Sequence, residues 1–528
     1  MEGFDYVVVG GGSAGCVVAS RLSEDSKVSV CLLEAGGAGN NWVVKAPIGI
    51  AIQVPSKTNN WAFETVPQPG LNGRVGYQPR GKALGGSSAI NAMVYIRGHR
   101  SDYDGWAALG NTGWAYDDVL PYFKKSENNE VVQDGFHGTG GPLNVAGIRT
   151  GNPFQGHFLE AGRQLQLPMN ADFNGAHQMG LGVYQVTQKN GERWSAARAY
   201  LEPNMSRPNL KVITGALARK ILFDGKRASG IEFSRDGKSE SVKARREVVL
   251  SSGAFQSPQL MMLSGIGNAP DLKSLGIEIV HHSPGVGQNL QDHIDFAFSY
   301  RSNSLDNFGI TFAGLRKLWR EIGRYRREGV GMITSNVAEC GGFLKTDPGL
   351  PVPDIQLHFS TGMADNHGRT RHLGHGFGCH VCLLRPKSRG SVTLSSADPA
   401  IPPRIDPKFY DAPNDLEVMV KAFKITRRIM DAEPLAKWRT SEMYSENVRS
   451  DDEIRTILRN RSDTVYHPVG TARMGNGDGA VVDPQLRVRG VEALRVVDAS
   501  IMPTLIGGNT NAPSIMIGEK AADMIRAA

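Results

Sequence analysis

The chain has 528 residues, 40% of them aliphatic or aromatic and 21% charged. That balance excludes a disordered or fibrous protein, and the length suffices for a full core without disulfides or structural metal. The net charge of +7, from 59 basic and 52 acidic residues, is mild and interspersed, which argues against a nucleic-acid partner.

In chain order, FDYVVVG reads as a short β-branched strand and GGGSAGCVVASRLSE as the helix after it. Gly10, Gly12 and Gly15 complete G-x-G-x-x-G, and a second strand, KVSVCLLEAGG, ends in Glu34 and Ala35. Strand, glycine turn, helix, strand and acid in one βαβ unit form the fingerprint of a dinucleotide site. Gly10 permits the tight turn, Gly12 lets the backbone approach a pyrophosphate, and Gly15 brings helix and strand together. Ser13 and Ala14 open the helix, whose unpaired N–H groups and positive dipole end would face phosphates. Glu34 would accept hydrogen bonds from ribose hydroxyls. The fingerprint alone does not choose between NAD and FAD. A second glycine-rich segment at 79–98, with Gly81, Gly85, Gly86, Ser87, Ser88 and Asn91, offers small groups against which a flavin ring could lie.

Residues 209–233 alternate like a β-meander, REVVLSSGAFQSP returns a strand to the sheet, and LRVVDASIMP near the end supplies another. Further strands read near 354–360 and 377–394. Leu416, Met419, Val420, Phe423 and Ile425 repeat near helical spacing. No apolar run reaches the ~18 residues of a membrane span. The acidic, strand-like amino terminus leaves no room for a signal peptide, so the sequence predicts a cytoplasmic protein.

The five cysteines are scattered, and Cys379-x-x-Cys382 lacks the second ligand pair that zinc needs. His367, His372 and His375 occupy a glycine-rich polar loop without an accompanying carboxylate or cysteine at ligand spacing, so no metal is expected. His293 and His358 read as satisfied structural residues.

Six ordered motifs resemble the glucose–methanol–choline oxidoreductases, nearly end to end. They are GKALGGSSAINAMVYIRGHRSDYD (81–104), GAFQSPQLMMLSGIG (253–267), PGVGQNLQDH (284–293), RPKSRGSVTL (385–394), YHPVGTARMG (466–475) and the carboxy-terminal segment from 494. Bacterial choline dehydrogenases and aliphatic-alcohol dehydrogenases are the branches most similar to it. The resemblance implies an α/β fold: a Rossmann-like FAD-binding domain interleaved with a substrate-binding domain built on an antiparallel sheet with helices. Residues 1–155 and 205–293 would form the first and 156–204 with 294–465 the second. Residues 466–528 would carry the active-site segment and return to the FAD domain.

The resemblance also assigns contacts. Gly85, Gly86, Ser87, Asn91, Ala92 and Val94 would flank the flavin, and Ala218 would offer backbone bonds to adenine. Asp498 and Ala499 would meet the pyrophosphate and ribityl chain, with Asn509 to Pro513 passing over the ring. Some members link FAD covalently through a histidine where this chain has Ile90, so FAD is expected to be non-covalent. His467 aligns with the catalytic base and Asn511 with its partner. The implied reaction is oxidation of an alcohol to an aldehyde or ketone, with His467 taking the hydroxyl proton and hydride passing to flavin N5. Electrons would go to a quinone or other acceptor. An oxidase using oxygen, or a lyase with structural FAD, remain alternatives.

Residues 315–327, LRKLWREIGRYRR, form the last motif. Leu315, Leu318, Trp319, Ile322 and Tyr325 share one helical face, while Arg316, Lys317, Arg320, Arg324, Arg326 and Arg327 stand against Glu321. Two readings follow: an apolar stripe packed on its own domain, or peripheral contact with an anionic bilayer.

Overall fold

The first strand, Glu2–Val9, is buried without a break from Tyr6 to Val9, as befits the middle of a parallel sheet covered on both faces. The computed structural model describes residues 2–363 and 365–528. On one side of this strand lie Val30–Glu34 and then Leu210–Thr214, both parallel to it. On the other lies the carboxy-terminal half of Lys238–Leu250, also parallel, and beyond it Leu494–Val496. The amino-terminal half of Lys238–Leu250 turns outward into an antiparallel meander with Arg227–Arg235 and Leu217–Asp224. The expected meander over 209–233 therefore begins later. Gly215, at φ +68°, breaks the chain after Leu210–Thr214 and frees that strand to cross to the far edge of the sheet.

The second sheet is antiparallel throughout, in the order Arg439–Met443, Ile294–Ser302, Gly374–Leu383, Ile355–Ser360, Ala338–Leu344, Gly180–Val183. One face packs on the helix Pro413–Asp431, which buries Leu416, Met419, Val420 and Phe423. Ile425 lies only half-buried beside them. Cys379 and Cys382 are free and buried on Gly374–Leu383. Three positions apart on a strand, they point to opposite faces and cannot share a ligand.

The two sheets are interleaved along the chain, because strands from residues 2–34, 210–250 and 494–496 enclose those of the antiparallel sheet in sequence. The carboxy-terminal helix Asn511–Arg526 returns to pack on Ser13–Leu22, where buried Glu519 takes Arg21 (2.8 Å) and the Tyr200 hydroxyl (2.8 Å). This return places the chain ends at one cofactor-sized cleft.

Candidate active site

The helix Ser13–Leu22 starts at Gly12 with no side-chain cap, so its first N–H groups are left to whatever fills the space before it. That space is a cleft of about 1690 Å³ lined by Gly12, Ser13, Ala14, Glu34 and Ala35, and also by His467 and Asn509. A Cβ at Gly10 would lie 2.5 Å from the Ser251 carbonyl oxygen, and one at Gly15 would lie 1.9 Å from that of Gly10. The Glu34 carboxylate accepts from the N–H groups of Gly11 (2.9 Å) and Gly36 (2.7 Å). Burial pushes it up to about 7, against the pull of those two bonds. An uncapped helix end, a close backbone and a buried acid facing one long cleft suit the pyrophosphate and ribose of FAD.

Gly10, Gly86, Ser87, Asn91, Ala92, Val94, Ala218, Asp498, Ala499 and Asn511 also line the cleft, whereas Gly15, Gly85 and Pro513 do not. Gly15 sits at the helix–strand crossing. Gly85, at φ +93°, donates its N–H to the Gly11 carbonyl (2.7 Å). Pro513 is buried in the last helix. The Asp498 carboxylate is engaged by Ser500 N (2.8 Å), Gly253 N (2.9 Å) and the Ser257 hydroxyl (2.6 Å), so it shapes two helix starts. Ile90 is buried among Val44 and Ala89 and lines the cleft.

His467 is held by the segment 291–293. Gln291 and Val469 exchange backbone bonds of 3.1 and 2.9 Å, and Val465 N donates to the His293 carbonyl at 3.1 Å. The His467 N–H donates to Asp292 Oδ1 at 2.8 Å. Tyr466 at φ +76° and Gly470 at φ +92° turn the backbone so that the imidazole enters the cleft. Its Nδ1 lies 2.9 Å from Nδ1 of His293, and its Nε2 lies 3.2 Å from Nδ2 of Asn509. Burial first, then the neighbouring His293, His358 and Arg80, hold His467 well below the ordinary histidine range.

Three expectations change here. Asn511 does not meet His467. It is the first residue of the last helix, and its Oδ1 accepts from the Ser13 hydroxyl at 2.8 Å. Asn509, still on the preceding loop, reaches the imidazole instead, so the histidine–asparagine pair in space is His467–Asn509. His293 belongs to the site through the His467 ring. His358, on Ile355–Ser360, lines the cleft with its ring beside Asn509. Burial pushes it down to about 3. The one sequence signal for His293 was its place in QDH, beside the aspartate that binds the His467 backbone.

The loop histidines are paired. His367 bonds the Tyr466 hydroxyl (2.5 Å) and faces Asp463 (3.0 Å), and His372 bonds Asp365 (2.8 Å). His375 lies on a strand rather than in the loop, between the Thr311 hydroxyl (2.7 Å) and the Asn307 carbonyl (2.8 Å). Apart from the cleft, Asp134, His137 and Asp172 have ligand atoms close enough to share an ion. Both His137 nitrogens are already engaged, by Glu127 (3.1 Å) and Asp172 (3.0 Å).

GMC oxidoreductase family models match residues 4–295 and 386–518. An alcohol dehydrogenase [acceptor] of Pseudomonas putida is 48% identical over 99% of this chain and 95% of its own length. A mitochondrial choline dehydrogenase of Homo sapiens is 45% identical over 99% and 90%. Among solved structures, a pyridoxine 4-oxidase from Mesorbium loti superimposes with a TM-score of 0.90 at 30% identity, covering 99% of both chains. A formate oxidase from Aspergillus oryzae gives 0.93 at 29%, covering 100% of this chain and 98% of its own. With the dinucleotide cleft, the His467–Asn509 pair and these likenesses together, the chain belongs to the GMC oxidoreductases, a family of FAD-binding flavoproteins that act on alcohol-type donors.

Proposed function

We propose that the chain oxidises an uncharged alcohol to an aldehyde or ketone and passes the electrons to an acceptor such as a quinone. The observation that carries this is the His467–Asn509 pair in the wall of the cleft. An alcohol proton is too weakly acidic to leave unaided near neutral pH, and a neutral imidazole can take it in the transition state. Asn509 Nδ2, beside His467 Nε2, is a donor for the oxygen on which negative charge develops. FAD supplies the hydride acceptor when bound, and the residues lining the cleft from Gly12 and Glu34 to Asn91 would hold it. Ile90 offers no nucleophile, which favours non-covalent FAD.

The choice of an uncharged donor over a quaternary ammonium rests on the carboxylates. A trimethylammonium is held by a carboxylate or an aromatic face, and four acids lining the cleft each have a basic partner, with buried Oδ1 of Asp295 left without a hydrogen-bond partner among the described residues. Asp295 binds His380 (2.6 Å), Asp365 binds Arg461 (2.7 Å), Asp463 faces His367 (3.0 Å) and Glu192 faces Arg198 (2.8 Å).

Anaerobic titration with aliphatic alcohols and with choline tests both statements. The aliphatic alcohols are expected to bleach the flavin and choline to leave it oxidised. Bleaching by choline alone would overturn the substrate class, and bleaching by neither would favour a lyase. Re-oxidation by a quinone analogue rather than by oxygen is expected. Acid precipitation of the same preparation should release FAD into the supernatant.

A second reading concerns location. The helix Phe312–Glu328 has no buried residue. Leu318, Trp319, Ile322 and Tyr325 line the cleft, and Phe312, Leu315 and Trp319 are 88%, 51% and 76% exposed. Among the described residues, Arg316, Arg320 and Arg326 have no ion pair. We infer that this apolar strip, flanked by cationic groups, rests on an anionic bilayer. No helix among the described residues is long and apolar enough to cross a membrane.

A further inference from the structure

The position of the proton on His467 follows from two sets of hydrogen bonds that start at different backbone carbonyls. The first starts at Leu384, whose carbonyl oxygen lies 3.1 Å from Nε2 of His293. A carbonyl only accepts, so that nitrogen carries the proton. Burial pushes His293 down to about 3, and a neutral imidazole has a single N–H. Its Nδ1 is therefore a lone pair. Nδ1 of His467, 2.9 Å away, must be the donor, which leaves Nε2 of the neutral His467 unprotonated.

The second set starts at Leu357. Its carbonyl accepts the Tyr184 hydroxyl proton at 2.5 Å, so the Tyr184 oxygen can only accept from Gln356 Nε2, at 3.4 Å. The same Gln356 Nε2 donates to Asn509 Oδ1 at 3.0 Å. Asn509 must then turn its NH2 group toward His467 Nε2, and a donor there requires a lone pair on that nitrogen. Both sets demand the same tautomer.

We propose that His293 is a positioning residue: it keeps the proton of His467 on Nδ1, so that Nε2 stands as the free base facing the cleft. Without that acceptor, His467 could place its proton on Nε2, against the Asn509 amide, and would have no lone pair for the substrate hydroxyl. With it, the hydroxyl proton goes to Nε2, and the resulting imidazolium keeps its Nδ1–H bond to His293. Gln356 plays the matching part for Asn509, fixing which end of the amide faces the reacting oxygen. The inference rests on the proposed role of His467 as base, but the tautomer can be measured without turnover.

Two-bond proton–nitrogen correlation spectra of the holoenzyme labelled with 15N-histidine, with His467 assigned by its loss in His467→Gln, should show the Nδ1–H form. An Nε2–H form would overturn the proposal, whatever the enzyme oxidises. In rapid-mixing experiments on holoenzyme, His293→Leu should lower the flavin reduction rate by roughly 100-fold, the scale of lost general-base catalysis, with little change in the alcohol concentration for half-saturation. His293→Asn, which can present an amide oxygen to His467 Nδ1–H, should recover most of that loss. Wild-type rates in His293→Leu, or equal losses in both variants, would overturn the positioning role. Should the wild type reduce with no alcohol, the base reading fails while the spectra still decide the tautomer.

Discussion

Burial, followed by the neighbouring histidines and the Arg80 guanidinium, disfavours the charged form of His467. A general base must be unprotonated, and a group whose folded pKa is depressed stays unprotonated until the pH falls below that depressed value. The flavin reduction rate should therefore be flat from alkaline through mildly acidic pH and fall only well below the ordinary histidine value of about 6.5. A stopped-flow profile with its edge at 6.5 or above would contradict this. Asn509→Ala should slow reduction by roughly 100-fold, or about 3 kcal/mol of transition-state stabilisation. Asn511→Ala, which removes a partner of Ser13 rather than of His467, should cost far less, and the reverse order would restore the assignment expected from the motif. NTN contains two asparagines two positions apart, and spacing alone could not choose between them. The choice depends on where the last helix begins. His467 was singled out through a local motif that resembles the family's, and it lines the cleft. His293 was not, since its meeting with His467 spans 174 positions and depends on the pairing of 291–293 with 465–469.

At the scale of elements, the opening βαβ unit was legible because each residue has a local reason. At Gly15 even a methyl group would collide with the Gly10 carbonyl, so the glycine pattern records helix–strand contact directly. Val30–Glu34, buried at all five positions, likewise announced an interior strand. The strand Leu210–Thr214 was misassigned for a physical reason as well. Alternation describes a strand's exposure but not its neighbour, and a single left-handed glycine sends this one across the sheet instead of into the meander. The glycine-rich loop around 366–375 hid a strand start at Gly374 for the same reason: its pairing with Ile294–Ser302 is non-local.

For the molecule as a whole, what matters is where the cleft opens. The amphipathic pattern of 315–327 was legible as a helix, and its apolar stripe is divided between cleft and solvent. One part of the stripe lines the cleft, another faces outward with Arg316 and Arg320 alongside, and Trp319 does both. Other exposed apolar residues lie around the same opening. Trp42 (66%) and Ile52 (44%) line the cleft, and Ile310 pairs with Leu373 (75%) just before the helix. A single exposed apolar side chain needs no explanation, whereas a cluster flanked by arginines at a cleft mouth has the chemistry of an interfacial surface. Contact there would bring the cleft mouth to the bilayer, where amphiphilic alcohols and quinones concentrate. Anionic attraction is screened at a Debye length of about 10 Å in 0.1 M salt and about 3 Å in 1 M. The protein should therefore co-sediment with phosphatidylglycerol vesicles at low salt, release at high salt, and bind phosphatidylcholine vesicles weakly. Arg316→Glu with Arg320→Glu should abolish sedimentation while leaving the flavin spectrum intact, and Trp319→Ala should weaken it. A wild type that stays in the supernatant at low salt would leave this helix as a wall of the cleft and nothing more.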